Sequence, residues 1–230
     1  MSALPSQSRY IIGTEACERF SFYGMKSILM LYMTGHLLMS DNWSTSTLHI
    51  FVAMVYLLPL AGAWLADKVW GRYKTILYIS LLYCVGHGVL ATADLSHTIE
   101  ARRYILMAGL FIIALGAGGI KPCVSAFMGD QIPNKSPQLM TKAFNAFYWA
   151  INLGSFFSFL VIPAMEQRYG YSWAFAVPGL FMGVATFVFW LGRKNYHKTP
   201  PARNSGQPGF WKVLFIILFH GGWKNAEQRC

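Results

Sequence analysis

The chain has 230 residues, 55% of them hydrophobic, and 19 lysines and arginines against 9 acids leave a net charge of +10. This composition places the protein among integral membrane proteins and not among soluble domains. The basic surplus needs no nucleic-acid partner, because no basic stripe interleaved with exposed aromatics stands outside the apolar segments.

Six segments reach the length of about 20 residues needed to cross a bilayer: 10–38, 48–67, 73–93, 102–123, 142–163 and 172–192. The expected fold class is therefore all-α, a six-transmembrane-helix bundle. The first segment is too long for a signal peptide, is charged inside, and has no small-residue cleavage site after it. Read as a helix, it puts Glu15, Glu18, Arg19, Phe22, Tyr23 and Lys26 on one stripe, since residues three, four, seven and eight apart share a face. A charge at the bilayer centre costs about 2.5–3.5 kcal/mol. Such groups persist where they face protein or a water-filled cavity, and there they carry ions or substrate. The alternative is a buried structural ion pair.

Asp41 to Ser44 reads as an outer turn, with Ser44 or Ser46 as the helix N-cap. His49 follows at the outer end of the second segment. Histidine changes charge near neutral pH, so His49 is either a proton relay or an interface residue. His36, His87 and His97 read as solvated or packed. The second segment ends in Gly62-Ala63-Trp64-Leu65-Ala66-Asp67, and a tight inner loop follows at Lys68 to Tyr73. The small residues permit close helix contact, and Asp67 can pair with Arg72 across the turn.

A polar outer loop, Asp94 to Arg102, leads to the fourth segment and its run Gly116-Ala117-Gly118-Gly119-Ile120-Lys121-Pro122. The glycines allow close packing, and Pro122 is expected to break the helix ladder locally. Lys121 is an ammonium at membrane depth that needs a carboxylate, from the protein or from a substrate. Snorkelling to the inner interface is the alternative. Pro133 to Pro137 breaks the chain inside, and Glu166 to Gly170 turns it outside. Residues 194–209 read as a cytoplasmic linker rich in proline and glycine. Residues 210–230 read as a short amphipathic segment too short to span. Such an ending is expected of the first half of a longer transporter; a short protein with a cytoplasmic tail is the alternative.

With the N-terminus inside, Arg9, Lys68, Arg72, Lys74, Lys135, Lys142 and every basic residue from Arg193 onward are cytoplasmic. Only Arg102, Arg103 and Arg168 lie outside. This bias predicts a multi-pass protein of the plasma (inner) membrane with a cytoplasmic N-terminus. Cys17, Cys84 and Cys123 sit in apolar helices without C-x-x-C spacing and read as packing residues, with no disulfide or metal site. No nucleophile–base pair, metal cluster or phosphate loop stands at workable spacing, so an enzyme is not expected.

Gly62 to Arg72 resembles the signature loop of the major facilitator superfamily, G-x-x-x-A-D-x-x-x-G-R, which implies a gating role for Asp67 and Arg72. Glu15-x-x-Glu18-Arg19-Phe20, Phe22-Tyr23-Gly24, Gly116-x-Gly118-Gly119-Ile120-Lys121-Pro122, Phe127-x-x-Asp130-Gln131, Phe147-Tyr148 and Ile151-Asn152-Leu153-Gly154 together resemble the proton-dependent oligopeptide transporter family. The match runs from about Arg9 to Arg193. The resemblance implies the N-terminal bundle of a major facilitator fold, whose partner is a missing C-terminal six-helix bundle. It also implies alternating-access uptake of di- and tripeptides driven by protons, with no cofactor. It assigns Glu15, Glu18 and Arg19 to proton coupling, Arg19 and Lys121 to the peptide carboxylate, and Tyr23, Lys26, Tyr56 and Asn152 to the peptide site. The segment around His49 resembles the second span of animal peptide transporters, where a histidine takes part in proton handling. Lys26 stands where the family often has arginine, and Phe22 where it often has tyrosine. A carrier of another anionic substrate, such as nitrate or a carboxylate-bearing metabolite, and a non-transporting membrane scaffold or remnant are the competing readings.

Overall fold

The computed structural model describes residues 4–201, and every regular element among them is helical. Helix α1, Ser8–Leu31, continues through a wide turn at Tyr32–His36. Helix α2, Asp41–Leu57, runs into the short α3, Pro59–Trp64, and a second wide turn at Leu65–Trp70. Helices α4, Arg72–Thr92, and α5, Ile99–Asp130, follow. Helices α6, Pro137–Tyr169, and α7, Tyr171–Leu191, complete the bundle.

Several helix ends differ from the sequence reading, each for a local reason. The N-cap of α2 is Ser40 and not Ser44 or Ser46: Ser40 is extended (φ −62°, ψ 151°) and its hydroxyl accepts from the Trp43 N–H. Asp41 then lies in the first turn, where the helix dipole favours a negative charge. The outer turn read at residues 41–44 is thus helical. The inner loop is also shorter than expected. Only Gly71 stands between the wide turn and α4, at φ 79°, a left-handed conformation that glycine adopts without a Cβ penalty. Gly170, at φ 81°, does the same between α6 and α7, so Glu166 to Tyr169 remain helical. Pro122 interrupts the ladder of α5 only locally, as expected. It removes one ladder hydrogen bond, yet the helix runs on to Asp130.

Helix α5 packs chiefly on α4 and also receives α2 and α3, while α1 packs on α6 and α7, and α7 also on α4. Contact between α3 and α5 depends on Gly62: a Cβ there would stand 2.5 Å from the Gly119 carbonyl oxygen and 2.6 Å from its Cα. Tyr32, Phe51, Tyr83, Phe127, Phe175 and Phe189 fill the core. Large apolar side chains such as Ile50, Phe111, Phe156, Leu180 and Phe187 point outward. Among the described residues, five helical stretches are long and apolar enough to cross a membrane: Asp41–Trp70, Arg72–Leu95, Ile99–Asp130, Pro137–Tyr169 and Tyr171–Lys194. What sets α1 apart is its charge, with Arg9, Glu15, Glu18, Arg19 and Lys26 along one helix.

The end of the bundle where α1 begins is here called lower, and the opposite end upper. At the lower end the chain leaving α7 crosses back over the bundle. Tyr196 inserts among Tyr10, Tyr73, Phe127 and Phe189, with ring centroids 5.1–6.5 Å away. The His197 N–H donates to Gln131 Oε1 at 2.8 Å, and Gln131 Nε2 donates to the His197 carbonyl at 3.0 Å. Burial pushes the Tyr196 phenol well above its ordinary pKa. At the upper end His36, Asp94 and Arg102 form a polar clasp joining α1, the turn after α4, and α5. The segment expected at 210–230, and the linker from residue 202 to 209, lie outside the described residues.

Candidate functional site

Glu15, Glu18 and Arg19 are all buried in the middle of α1. Arg19 Nε lies 2.7 Å from Glu15 Oε1 and 2.8 Å from Glu18 Oε2. The first contact is an i, i+4 pair on one helical face, which is why the sequence stripe becomes a cluster. Only the Glu15 contact has the geometry of a hydrogen bond; neither oxygen of Glu18 has a hydrogen-bond partner. Two carboxylates thus converge on one guanidinium nitrogen, and the two terminal nitrogens of Arg19 donate to no group among the described residues. A guanidinium held by its Nε presents its remaining fork to a second planar anion.

Lys121 faces this cluster from α5. Its ammonium lies 4.4 Å from the centroid of the Phe22 ring and 5.3 Å from that of Tyr56. Among the described residues no protein carboxylate is in ion-pair contact with it, which leaves the substrate carboxylate of the sequence reading open; two aromatic faces hold the charge, an arrangement worth about 0.5–2 kcal/mol depending on how dry it is. Two acids facing two bases leave the cluster close to neutral, so moving one proton changes its balance.

The remaining expected residues divide. Tyr23 and Lys26 are half-buried on the α1 stripe above Arg19. Tyr56 is 72% exposed and Asn152 is exposed on α6, where its amide donates to the carbonyl of Tyr148 one turn back. Together with Lys121 they line an open face of the bundle rather than a closed pocket. His49 is exposed on α2 and makes none of the contacts of the Arg19 cluster.

The lower-end loop is built differently from the sequence reading. Asp67 stands 3.8 Å from Arg72, at the edge of ion-pair range, and 55% of its side chain is exposed. The close partner of Arg72 is Asp130 at the end of α5, with Nη1 2.7 Å from both carboxylate oxygens. Sequence reasoning quoted Asp130 within a motif but gave it no role. Its signal was an acid closing a membrane-length helix on the same side as the loop arginine. Tyr83, buried on α4, was also passed over, and His87, read as solvated or packed, is buried one turn from it.

The model of the POT family matches residues 73–225. The chain is 42% identical to solute carrier family 15 member 2 of Homo sapiens, over 94% of this chain and 31% of that protein. It is 40% identical to peptide transporter 3 of Caenorhabditis elegans, over 95% of this chain and 32% of that protein. Among solved structures, the in meso crystal structure of the POT family transporter PepTSo is similar with a TM-score of 0.82 and 45% identity, over 95% of this chain and 43% of that one. An auto-inhibited POT family peptide transporter gives a TM-score of 0.81 at 45% identity, over 94% and 42% of the two chains. The chain spans about a third of the length of these curated relatives.

Proposed function

The chain belongs to the POT family, and from that membership we propose that it is the amino-terminal half of a proton-coupled symporter of di- and tripeptides with the major facilitator fold. The observation that carries the reading is the buried convergence of Glu15 and Glu18 on Arg19, with Lys121 opposite on two aromatic rings. In this reading α1 is the sixth span. Its charges do not disqualify it, because Glu15, Glu18 and Arg19 face protein and not lipid. The N-terminus is placed in the cytoplasm, a reading that the distribution of basic residues supports. The open face bearing Tyr56 and Asn152 is closed by a second six-helix bundle, and peptide lies between the two.

With the site empty, both glutamates stay on Arg19. Protonation of Glu18 weakens its hold, and the guanidinium fork and Lys121 take the peptide carboxylate. Tyr23, Lys26, Tyr56 and Asn152 line the peptide site. Asp67, Arg72 and Asp130 brace the lower gate. No cofactor takes part beyond the proton. His49 is assigned to proton handling at the outer mouth, a role that rests on the family resemblance alone.

The test is uptake of a labelled dipeptide into proteoliposomes under an inward proton gradient, by this chain and by the chain extended with its downstream half. Gradient-dependent uptake by the extended chain, with Glu18→Gln abolishing accumulation but leaving exchange, is the expected result. A folded, extended chain that accumulates no dipeptide moves the reading to another anionic substrate or to a non-transporting role. Uphill uptake retained in Glu18→Gln removes Glu18 from the coupling step.

A further inference from the structure

Three buried polar groups beside the Arg19 cluster take no part in the scheme above. Ser21 on α1 and Tyr83 and His87 on α4 are each fully buried. Ser21 Oγ lies 2.9 Å from His87 Nε2, and the rings of Tyr83 and His87 stack at 5.0 Å with 22° between their planes. The box is tight on two further sides. A Cβ on Gly116 of α5 would stand 2.5 Å from the Tyr83 Cβ, and one on Gly179 of α7 would stand 3.0 Å from the His87 Cβ.

Helices α1 and α4 run parallel. Near their starts Tyr10 and Tyr73 share the ring of Tyr196, and at their far ends His36 meets Asp94. Glu18 is one turn below Ser21, and Tyr83 is one turn below His87. The Ser21–His87 contact therefore sets Glu18 and Tyr83 facing each other one turn lower. Yet the Tyr83 hydroxyl and both Glu18 oxygens lack a hydrogen bond.

Buried polar atoms without partners are uncommon and costly. Phenylalanine would fill the same volume at position 83 without that cost, so packing accounts for the ring and not for the hydroxyl. A buried donor and a buried acceptor that both fall one turn below the Ser21–His87 contact, and both lack a partner, point to a bond made in another state of the cluster.

We propose that Tyr83 is a positioning residue for Glu18: its hydroxyl donates to the Glu18 carboxyl once protonation has released that group from Arg19, and His87, locked by Ser21, holds the ring in place. This deepens the proton-coupling reading and rests on it. The titratable and charged groups facing Glu18 are Glu15 and Arg19 on its own helix, Tyr83 on α4 and Lys121 on α5. Of these, Tyr83 is the neutral donor that can serve a protonated carboxyl without an ionic charge.

The experiment is infrared difference spectroscopy of this 230-residue chain in lipid nanodiscs between neutral and acid pH. The protonated-carboxyl band lost in Glu18→Gln identifies Glu18. In Tyr83→Phe that band is expected to shift to higher wavenumber, as a carboxyl C=O does when it loses a donor, while the unfolding midpoint stays level or rises. A Glu18 band that keeps its position in Tyr83→Phe overturns the proposal, and so does the absence of any Glu18 band in acid. Neither readout needs transport, so failure of dipeptide uptake and failure of this bond are separately visible.

Discussion

Arg72 donates from Nη1 to both oxygens of Asp130, at 2.7 Å each, although 58 residues separate the two in sequence. The contact ties the loop between α3 and α4 to the end of α5, and Thr199 in the returning chain lies 3.3 Å from the same carboxylate. Asp67, nearer in sequence, lies farther away and is more exposed.

These geometries rank the two acids. Asp130→Ala removes a charge-assisted bond and leaves a half-buried guanidinium, and it is expected to cost about 1.5–3 kcal/mol. Asp67→Ala removes a long, exposed pair and is expected to stay within about 1 kcal/mol of the parent. Denaturant unfolding of the reconstituted chain measures both. Equal losses would mean that the loop is held by Asp67 as much as by Asp130.

The chain after α7 is anchored by one inserted ring and one paired amide. Tyr196 is 7% exposed among four aromatic rings, and its truncation in Tyr196→Ala is expected to cost about 3–5 kcal/mol, as for other buried aromatics. The His197 amide, which donates to Gln131, reports the anchor directly. Hydrogen exchange at that amide is expected to be slow in the parent and fast in Tyr196→Ala and Gln131→Ala. Slow exchange in both variants would show that the segment is held from elsewhere.

Close approach of α3 to α5 gives a third expectation. A methyl at Gly62 meets the Gly119 backbone, which has no rotamer with which to yield. Gly62→Ala is therefore expected to lose about 1–3 kcal/mol through overpacking. Gly183 lies within α7 with no atom within 4 Å of a built Cβ, so Gly183→Ala is expected to be neutral or to gain up to about 1 kcal/mol from helix propensity. Unfolding midpoints of the pair separate contact from propensity.

Residues 15, 18, 19 and 22 were legible as one surface because helical periodicity alone places them together, and the structure buries them together. The apolar runs gave the long helices for the same reason. What periodicity does not carry is distance across the chain. Arg72 was paired with Asp67 because the two are five residues apart, and nothing local indicated Asp130. Helix ends were missed where a single side chain decides them, as Ser40 does for α2, or where glycine makes the whole turn, as at Gly71 and Gly170. Lys121 was expected to need a carboxylate from the protein or from a substrate, and composition could not show that it would rest against the faces of Phe22 and Tyr56.

The upper clasp holds a conflict of roles that yields the last expectation. His36 Nε2 contacts Asp94 Oδ1, and Arg102 Nη1 stands 2.9 Å from the same nitrogen. Arginine only donates and an ionised carboxylate only accepts, so one ring nitrogen cannot serve both partners at once. It either donates to Asp94 or accepts from Arg102, which bonds Asp94 independently at 3.1 Å. A glutamine side chain resolves the conflict, since its NH2 donates to Asp94 while its oxygen accepts from Arg102. His36→Gln is therefore expected to match the parent or exceed its stability by up to about 1 kcal/mol, whereas His36→Leu, which serves neither partner, is expected to lose about 0.5–1.5 kcal/mol for each bond given up. Nitrogen-15 NMR of selectively labelled histidine reads the role of Nε2 in the parent, because a protonated ring nitrogen and a bare lone pair resonate far apart. Less stability in His36→Gln than in His36→Leu would show that this position, stacked on Tyr32 and tilted against Tyr171, matters for its apolar contacts and not for its polar atoms.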